Sequence, residues 1–254
     1  MEKTKIILSG ATGRLCTAIA RLCSERDDCE IVCGVDIHVN GESKFPIYTK
    51  FDEIKEKGDV IIDCSHHALA GAIMDYAKAN HLAVVVCTTG HTDDEDALIH
   101  GAGAFIPVLK SRNMSLGINL LSELVKKAAA VLGEDFDIEI VEAHHNKKLD
   151  APSGTALMLA DAAAEVRDES EYVYDRHNVR KQRDKREIGI SSIRGGTIVG
   201  EHSVIFAGQD EVITLSHSAG SRDLFAQGAI RAALWLAGQK KGFYTMADVI
   251  GDAL

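Results

Sequence analysis

The residues best suited to chemistry in this chain lie in one short stretch, Glu142-Ala143-His144-His145-Asn146-Lys147-Lys148-Leu149-Asp150-Ala151-Pro152-Ser153-Gly154-Thr155-Ala156. Adjacent histidines exchange protons near neutral pH, and two lysines beside them add positive charge. Such a set can hold a carboxylate and also deliver a proton. Ser153-Gly154-Thr155 opens an alanine-rich helical pattern, so its backbone N–H groups and a hydroxyl offer a second anion site. Taken singly, each of these residues also fits a solvated loop ending in an ordinary Ser/Thr helix cap. Two histidines, two lysines and a helix start falling within 12 residues favour the functional reading. The histidine pair could bind a metal, but no third clear ligand stands nearby, and no metal is expected.

The elements around this loop must fix it in place. A strand over 137–141 precedes it and a helix over 155–166 follows it, with a longer helix over 116–132 upstream. Before them, the first 115 residues alternate strand and helix patterns: strands at 5–8, 30–32, 59–63 and 82–86, helices at 14–24 and 68–79. The strands are near-continuous apolar runs, as expected where helices cover both sheet faces. That alternation predicts right-handed crossovers and a doubly wound parallel sheet. After the loop come two β-rich runs, 197–206 and 211–216, with the partial alternation of an antiparallel sheet with one wet face. A helix over 223–236 closes the pattern. The plan read from this is a nucleotide-binding domain over 1–114 plus 220–254, and an inserted α+β domain over 115–219 for substrate and oligomerisation.

Between the first strand and first helix lies Gly10-Ala11-Thr12-Gly13-Arg14-Leu15-Cys16. Glycine lets a pyrophosphate approach the N–H groups at a helix start, which carry partial positive charge. Asp36 ends the second strand about 20 residues on, where a carboxylate can accept the ribose hydroxyls of NAD(H). Any tight strand–helix turn also uses glycine, but its early position and the trailing Asp36 point to a dinucleotide. No arginine follows Asp36 to meet a 2′-phosphate, so NADH is expected to be preferred over NADPH, with His38 or Lys44 able to soften the choice.

Composition excludes other classes. The net charge of −10 and 5% aromatic content argue against nucleic acid, which needs a positive field and stacking rings. No apolar run is long enough to span a membrane, and no signal peptide is legible, so a cytoplasmic location is expected. The six cysteines (16, 23, 29, 33, 64, 87) show no paired zinc spacing and read as small buried side chains. Six cations over 176–186 read as a solvated loop or, alternatively, as positive potential near the substrate mouth.

The stretch E-A-H-H-x-x-K-x-D-A-P-S-G-T-A resembles the signature of the dihydrodipicolinate reductase family, and the similarity extends across nearly the whole chain. Gly10 to Leu15 resembles that family's cofactor turn, Cys87-Thr88-Thr89-Gly90 its turn beside the nicotinamide, and Asn113-Met114-Ser115 the segment closing over the ring. Arg194-Gly195-Gly196, Gly200-Glu201-His202 and Ser221-Arg222 fall in family order.

The resemblance implies a Rossmann-type domain and a tetramer-forming domain with a mixed sheet. It implies a small heterocyclic dicarboxylate substrate and NADH or NADPH as cofactor. By position it makes His144 a proton donor or acceptor and Lys148 the proton-donating cation, with His145, Gly154 and Thr155 holding carboxylates. Gly10, Ala11, Thr12, Gly13, Arg14, Leu15, Asp36, Cys87, Thr88, Thr89, Ser111, Arg112, Asn113 and Met114 would line the cofactor.

Three departures stand on the nicotinamide side: Cys87 in place of glycine, Arg112 in place of a small residue or proline, and no proline after Cys64-Ser65. A Cβ at 87 is expected to point near the cofactor path. The alternatives are another Rossmann amino- or keto-acid dehydrogenase, and a non-catalytic NAD(P)H sensor. The intact His144, His145 and Lys148 argue against the sensor.

Overall fold

The computed structural model describes residues 2–38 and 43–251. The chain forms two compact units, one of Met1–Leu116 with Asp223–Leu254 and the other of Gly117–Arg222.

In the first unit the strands are β1 (Thr4–Ser9), β2 (Cys29–Val35), β3 (Ile47–Tyr48), β4 (Val60–Asp63), β5 (Ala83–Val86) and β6 (Pro107–Lys110), with β12 (Gly242–Tyr244) returning at the end. All seven run parallel in the order β12-β6-β5-β4-β1-β2-β3. Helices α1 (Arg14–Cys23), α2 (Ala70–Asn80), α3 (Asp93–Ala102), α6 (Asp223–Leu236) and α7 (Met246–Gly251) complete it.

The apolar runs split by parity, because successive strand side chains face opposite ways. Ile6 and Leu8 join one core with Cys16 and Ile19 of α1 and Ala229 and Ile230 of α6. Ile7 joins a second core with Ile73 and Met74 of α2 and Ile99 of α3. A strand buried on both sides has no room for a polar position, which is why these runs do not alternate. The strand order reverses between β1 and β4, and such a switch point leaves a crevice at the strand C-termini for a ligand.

The second unit holds α4 (Leu116–Leu132), β7 (Asp137–His144), α5 (Gly154–Ala164), β8 (Glu171–Val173), β9 (Glu187–Arg194), β10 (Glu201–Ala207) and β11 (Val212–Ser218). The sheet order is β11-β10-β7-β9-β8. Strands β10 and β11 pair antiparallel, as do β10 and β7, while β9 runs parallel to β7 and β8. One sheet face is covered: Ile138, Ile140, Val204 and Phe206 pack on Ile118, Leu121 and Val125 of α4 and Leu159 of α5. Ile193, Val212 and Ile213 remain exposed.

Sequence patterning missed several elements here. Strand β9 was not anticipated, since it follows the charged 176–186 stretch and lacks a clean apolar run. The strand expected from 197 begins at Glu201, because Gly195, Gly196 (φ +47°) and Gly200 belong to the turn before it.

Four of the six 176–186 cations are ion-paired. Arg176 pairs with Glu139 and Glu187, Lys181 with Glu187, Arg183 with Asp137 and Glu139, and Arg186 with Glu169 and Asp184. Three of these five partners, Asp137, Glu139 and Glu187, stand at the starts of the parallel strands β7 and β9, roughly 20 Å along the strand from His144 at ~3.3 Å per residue. These four cations are paired with carboxylates, which supports the reading of an ordinary solvated stretch over that of a positive potential near the substrate mouth.

Candidate active site

In the first unit the site is built from backbone. Gly10 leaves β1 at φ +77°, and a Cβ there would sit 2.8 Å from the Cys64 carbonyl oxygen. Only glycine meets both conditions, so the turn hugs the end of β4. Gly13 starts α1 with no side chain capping it. The N–H groups of Arg14, Leu15 and Cys16, in the helix's first turn, thus have no intrahelical acceptor. That is a fit for a pyrophosphate.

Asp36 lies beside this turn. Its Oδ2 accepts from the Thr12 N–H at 2.9 Å and the Thr12 hydroxyl at 2.8 Å, and its Oδ1 accepts from the His38 N–H at 3.0 Å. Burial pulls its pKa upward, but these donors hold the carboxyl below the ordinary range, so it is an ionised acceptor. A cavity of about 720 Å³ opens here, lined by Gly10, Thr12, Gly13, Asp36, Phe51, Ser65 and Tyr76 among others. Its size and its donors suit a dinucleotide.

The turn after β5 is firmly held. The Cys87 N–H donates to the Asp63 carbonyl at 2.8 Å, and the buried Thr88 hydroxyl reaches the Ser65 carbonyl at 3.4 Å. Thr89 and Gly90 (φ +81°) are exposed. The half-buried Cys87 side chain packs, with Cys64, against the core that contains Cys16. That packing supports a structural role for the side chain, filling space a glycine would leave empty.

The 111–115 segment is a rigid turn. The Ser111 hydroxyl donates to the Asn113 carbonyl at 2.9 Å, and the Asn113 side chain accepts from the Ser115 N–H at 2.8 Å. Met114 is buried, and its carbonyl lies against α6 at Gly228, where a Cβ would fall 1.7 Å from the oxygen. Arg112 projects outward and is exposed.

In the second unit the site is built from side chains. Strand β7 alternates, so Ile138, Ile140, Glu142 and His144 share one face. The first two face the core, and the stripe ends in an acid and a histidine. Register puts Ser192 of β9 and His202 of β10 opposite Glu142, and Arg194 opposite His144.

Glu142 is fully buried and fully used. Its two oxygens accept from the Arg194 guanidinium at 2.8 Å each, Oε1 also from the Ser153 N–H at 3.1 Å, and Oε2 from His144 Nδ1 at 2.6 Å. Burial alone would raise its pKa, but Arg194 first and then His144 outweigh it and hold the carboxyl at about 2. Arg194 also donates to the Asp150 carbonyl at 2.7 Å, tying the loop to the sheet.

Lys148 Nζ stands 2.9 Å from Asp150, and Arg222 donates to His145 Nε2 at 3.2 Å. Ser153 is buried and caps α5, its hydroxyl accepting from the Ala156 N–H and meeting His202 Nε2 at 3.0 Å. Gly154 is exposed with nothing within 4 Å of where its Cβ would be, so its side of the helix start is open. Thr155 follows in the first turn of α5. His202 is 4% exposed, and burial pushes its pKa down to about 4, leaving a neutral ring edge-on to His144 with centroids 5.2 Å apart.

The structure thus brings His144, His145, Lys148, Gly154 and Thr155 onto one loop and the helix start that follows it. It adds Glu142, Arg194, His202 and Arg222, to which sequence reasoning gave no role in the loop, and it engages Ser153, read there as part of an anion site, with Glu142, Ala156 and His202. For Glu142 a signal was present, since E-x-H on a strand places both side chains on one face. Among the described residues no cluster of metal-ligating side chains occurs, and no helix is long and apolar enough to cross a membrane.

Comparison with known proteins bears directly on these two units. The family model for the dihydrodipicolinate reductase N-terminus matches residues 4–114, and that for the C-terminus matches residues 117–250. A 4-hydroxy-tetrahydrodipicolinate reductase of Caldanaerobacter subterraneus subsp. tengcongensis is 50% identical over 247 residues, covering 97% of this chain and 98% of that one. One from Clostridium novyi is 43% identical over 248 residues, with the same coverage. A solved dihydrodipicolinate reductase from Paenisporosarcina sp. TG-14, with dipicolinate bound, superposes with a TM-score of 0.80 at 22% identity, over 96% of this chain and 98% of that one. That likeness shows the fold, a Rossmann-type parallel sheet joined to a second unit with a mixed sheet. Both halves of its sequence, matched in order, place this chain in the dihydrodipicolinate reductase family.

Proposed function

We propose that the chain is a 4-hydroxy-tetrahydrodipicolinate reductase. It reduces that cyclic dicarboxylate with NADH or NADPH, with loss of water, to tetrahydrodipicolinate on the route to diaminopimelate and lysine. The observation that carries this reading is the end of β7 with the loop that follows it. His144, His145, Lys148 and the open start of α5 lie there together, in a chain half identical over nearly its full length to a reductase of that name. A bound dipicolinate in the Paenisporosarcina structure supports the dicarboxylate class.

In this reading Met1–Leu116 with Asp223–Leu254 is the dinucleotide-binding domain and Gly117–Arg222 the substrate-binding and oligomerisation domain. Gly10, Ala11, Thr12, Gly13, Arg14 and Leu15 cradle the pyrophosphate, and Asp36 accepts the ribose hydroxyls, which favours NADH. The backbones of Cys87, Thr88 and Thr89 and the turn Ser111-Arg112-Asn113-Met114 flank the nicotinamide. The nicotinamide, when bound, supplies the hydride.

His145, Gly154 and Thr155 hold the two carboxylates and fix the ring in one orientation, the positioning part of the rate gain. Charge that develops on the ring's carbon and nitrogen is stabilised by Lys148 and His144, and Lys148 Nζ then gives the proton. The exposed Ile193 and Val212 lie on the uncovered face of the second sheet and support assembly through that face, which we read as a homotetramer working in the cytoplasm.

The test is a steady-state assay with enzymatically generated 4-hydroxy-tetrahydrodipicolinate, following NADH or NADPH absorbance. Turnover with at least one dinucleotide is expected. A folded protein that binds dinucleotide and oxidises none of it would sink the reading.

A further inference from the structure

We infer that Glu142 is a positioning residue for His144: its carboxylate fixes the Nδ1–H tautomer of the imidazole and so presents the Nε2 atom as the proton-exchanging end. The geometry carries this. Glu142 is ionised and has no proton to give, so the 2.6 Å contact requires that His144 Nδ1 be the donor. A neutral imidazole has one N–H, so Nε2 is then the bare nitrogen.

Glu142 cannot turn away, because its other acceptor sites are taken by the Arg194 fork and the Ser153 N–H. The fork arrives from β9 and the amide from the start of α5, so three elements hold one carboxylate. At the opposite end of the ring, Gly200 leaves room: a Cβ there would lie 3.1 Å from His144 Nε2. No hydrogen bond to Nε2 exists among the described residues, and the nitrogen is left for a reacting group.

The proton-transfer role of His144 rests on the reductase reading; the tautomer does not. A glutamine at 142 makes the discriminating change. Its amide oxygen falls at the Oε1 position, where Ser153 N–H and Arg194 both donate. Its NH2 then faces His144 Nδ1 and donates to it, which forces the Nε2–H tautomer and blocks the outward lone pair. The same logic makes an Asp→Asn change behind the histidine of a serine protease cost about 10⁴ in kcat through the wrong tautomer.

The experiment combines 15N NMR of histidine-labelled free protein at mildly alkaline pH with steady-state kinetics. In the wild type, His144 should show a protonated-type Nδ1 and a bare-type Nε2. In Glu142→Gln the two should exchange, and kcat should fall about 100-fold while the dinucleotide KM moves less than about threefold. Glu142→Asp keeps the charge and the acceptor, and should keep the wild-type tautomer and recover at least about a tenth of wild-type turnover.

If Glu142→Gln does not fold, because Arg194 then faces a neutral amide, Glu142→Gln/Arg194→Gln removes both charges and gives the same reading. The inference is overturned by an Nε2–H tautomer in the wild type, or by a glutamine variant that keeps both tautomer and kcat. The tautomer is read without substrate, so it decides this inference whether or not the dicarboxylate is turned over.

Discussion

At the turn after β1 the groups offered to a ligand are mainly backbone N–H groups, whereas at the loop after β7 they are side chains held by other side chains. The difference shows in what each region tolerates. The backbone site carries Cys16 beneath its helix start, and Cys64 and Cys87 at its strand ends, without losing its geometry, because the binding atoms belong to every residue type. Gly10 is irreplaceable there, for its φ of +77° and its contact with the Cys64 carbonyl. The side-chain site has no such latitude. Each functional atom after β7 depends on a named partner: His144 on Glu142, Glu142 on Arg194, and Ser153 on His202.

Acid should separate the two regions most strongly. The folded protein holds the buried His202 far below its ordinary 6.5, at about 4. The unfolded chain therefore binds a proton that the folded state refuses between those values. The stability this contributes is complete above pH 6.5 and lost as pH falls toward 4, a change of about 3 kcal/mol at 1.36 kcal/mol per unit. Hydrogen exchange of β7 and β10 amides should accelerate over that window, ahead of β1 and β4. Equal acceleration in both sheets would show that the second unit is not the weaker one. Glu142 works lower, from the ordinary 4.5 down to about 2, so its clamp outlasts His202 as acid is added.

Lys148→Ala should lower turnover about 100-fold or more, since it removes both a cation and a proton source. His145→Ala should mainly raise the substrate KM. A His145 variant that folds and loses as much kcat as the lysine variant would show that the roles within the loop are assigned the wrong way round.

A smaller effect is expected at Asp36. Its ionised carboxylate repels a 2′-phosphate, so the specificity constant for NADH should exceed that for NADPH. A tenfold preference for NADPH would mean that His38 or Lys44 overrides it.

Cys87→Gly should have the least effect. The thiol packs inward, so its removal leaves a small cavity and adds backbone freedom, costing about 1 kcal/mol of stability. Calorimetric titration with NADH and a thermal melt on the same samples should show unchanged affinity and a lower Tm. Tighter binding would mean that the side chain does reach the cofactor.

The amino-acid sequence by itself determined the parallel sheet, because Ile6-Ile7-Leu8, Val60-Ile61-Ile62 and Ala83-Val84-Val85-Val86 are apolar on both faces and can only lie buried between helices. It also determined the candidate site loop, since His144, His145, Lys148 and Gly154 are neighbours in the chain and local spacing reveals local clusters. Tertiary structure alone decided what aims them. Arg194 is 52 residues from Glu142, and His202 is 49 from Ser153. Their meeting depends on β9 pairing parallel to β7 while β10 pairs antiparallel on the other side. That register is set by which strand faces bury together against α4 and α5, a property of the assembled sheet that no local pattern records. The same holds for Cys87 and for the 176–186 cations. Whether a side chain packs on a core, and whether a cation meets a carboxylate, is settled by which atoms the fold brings within reach.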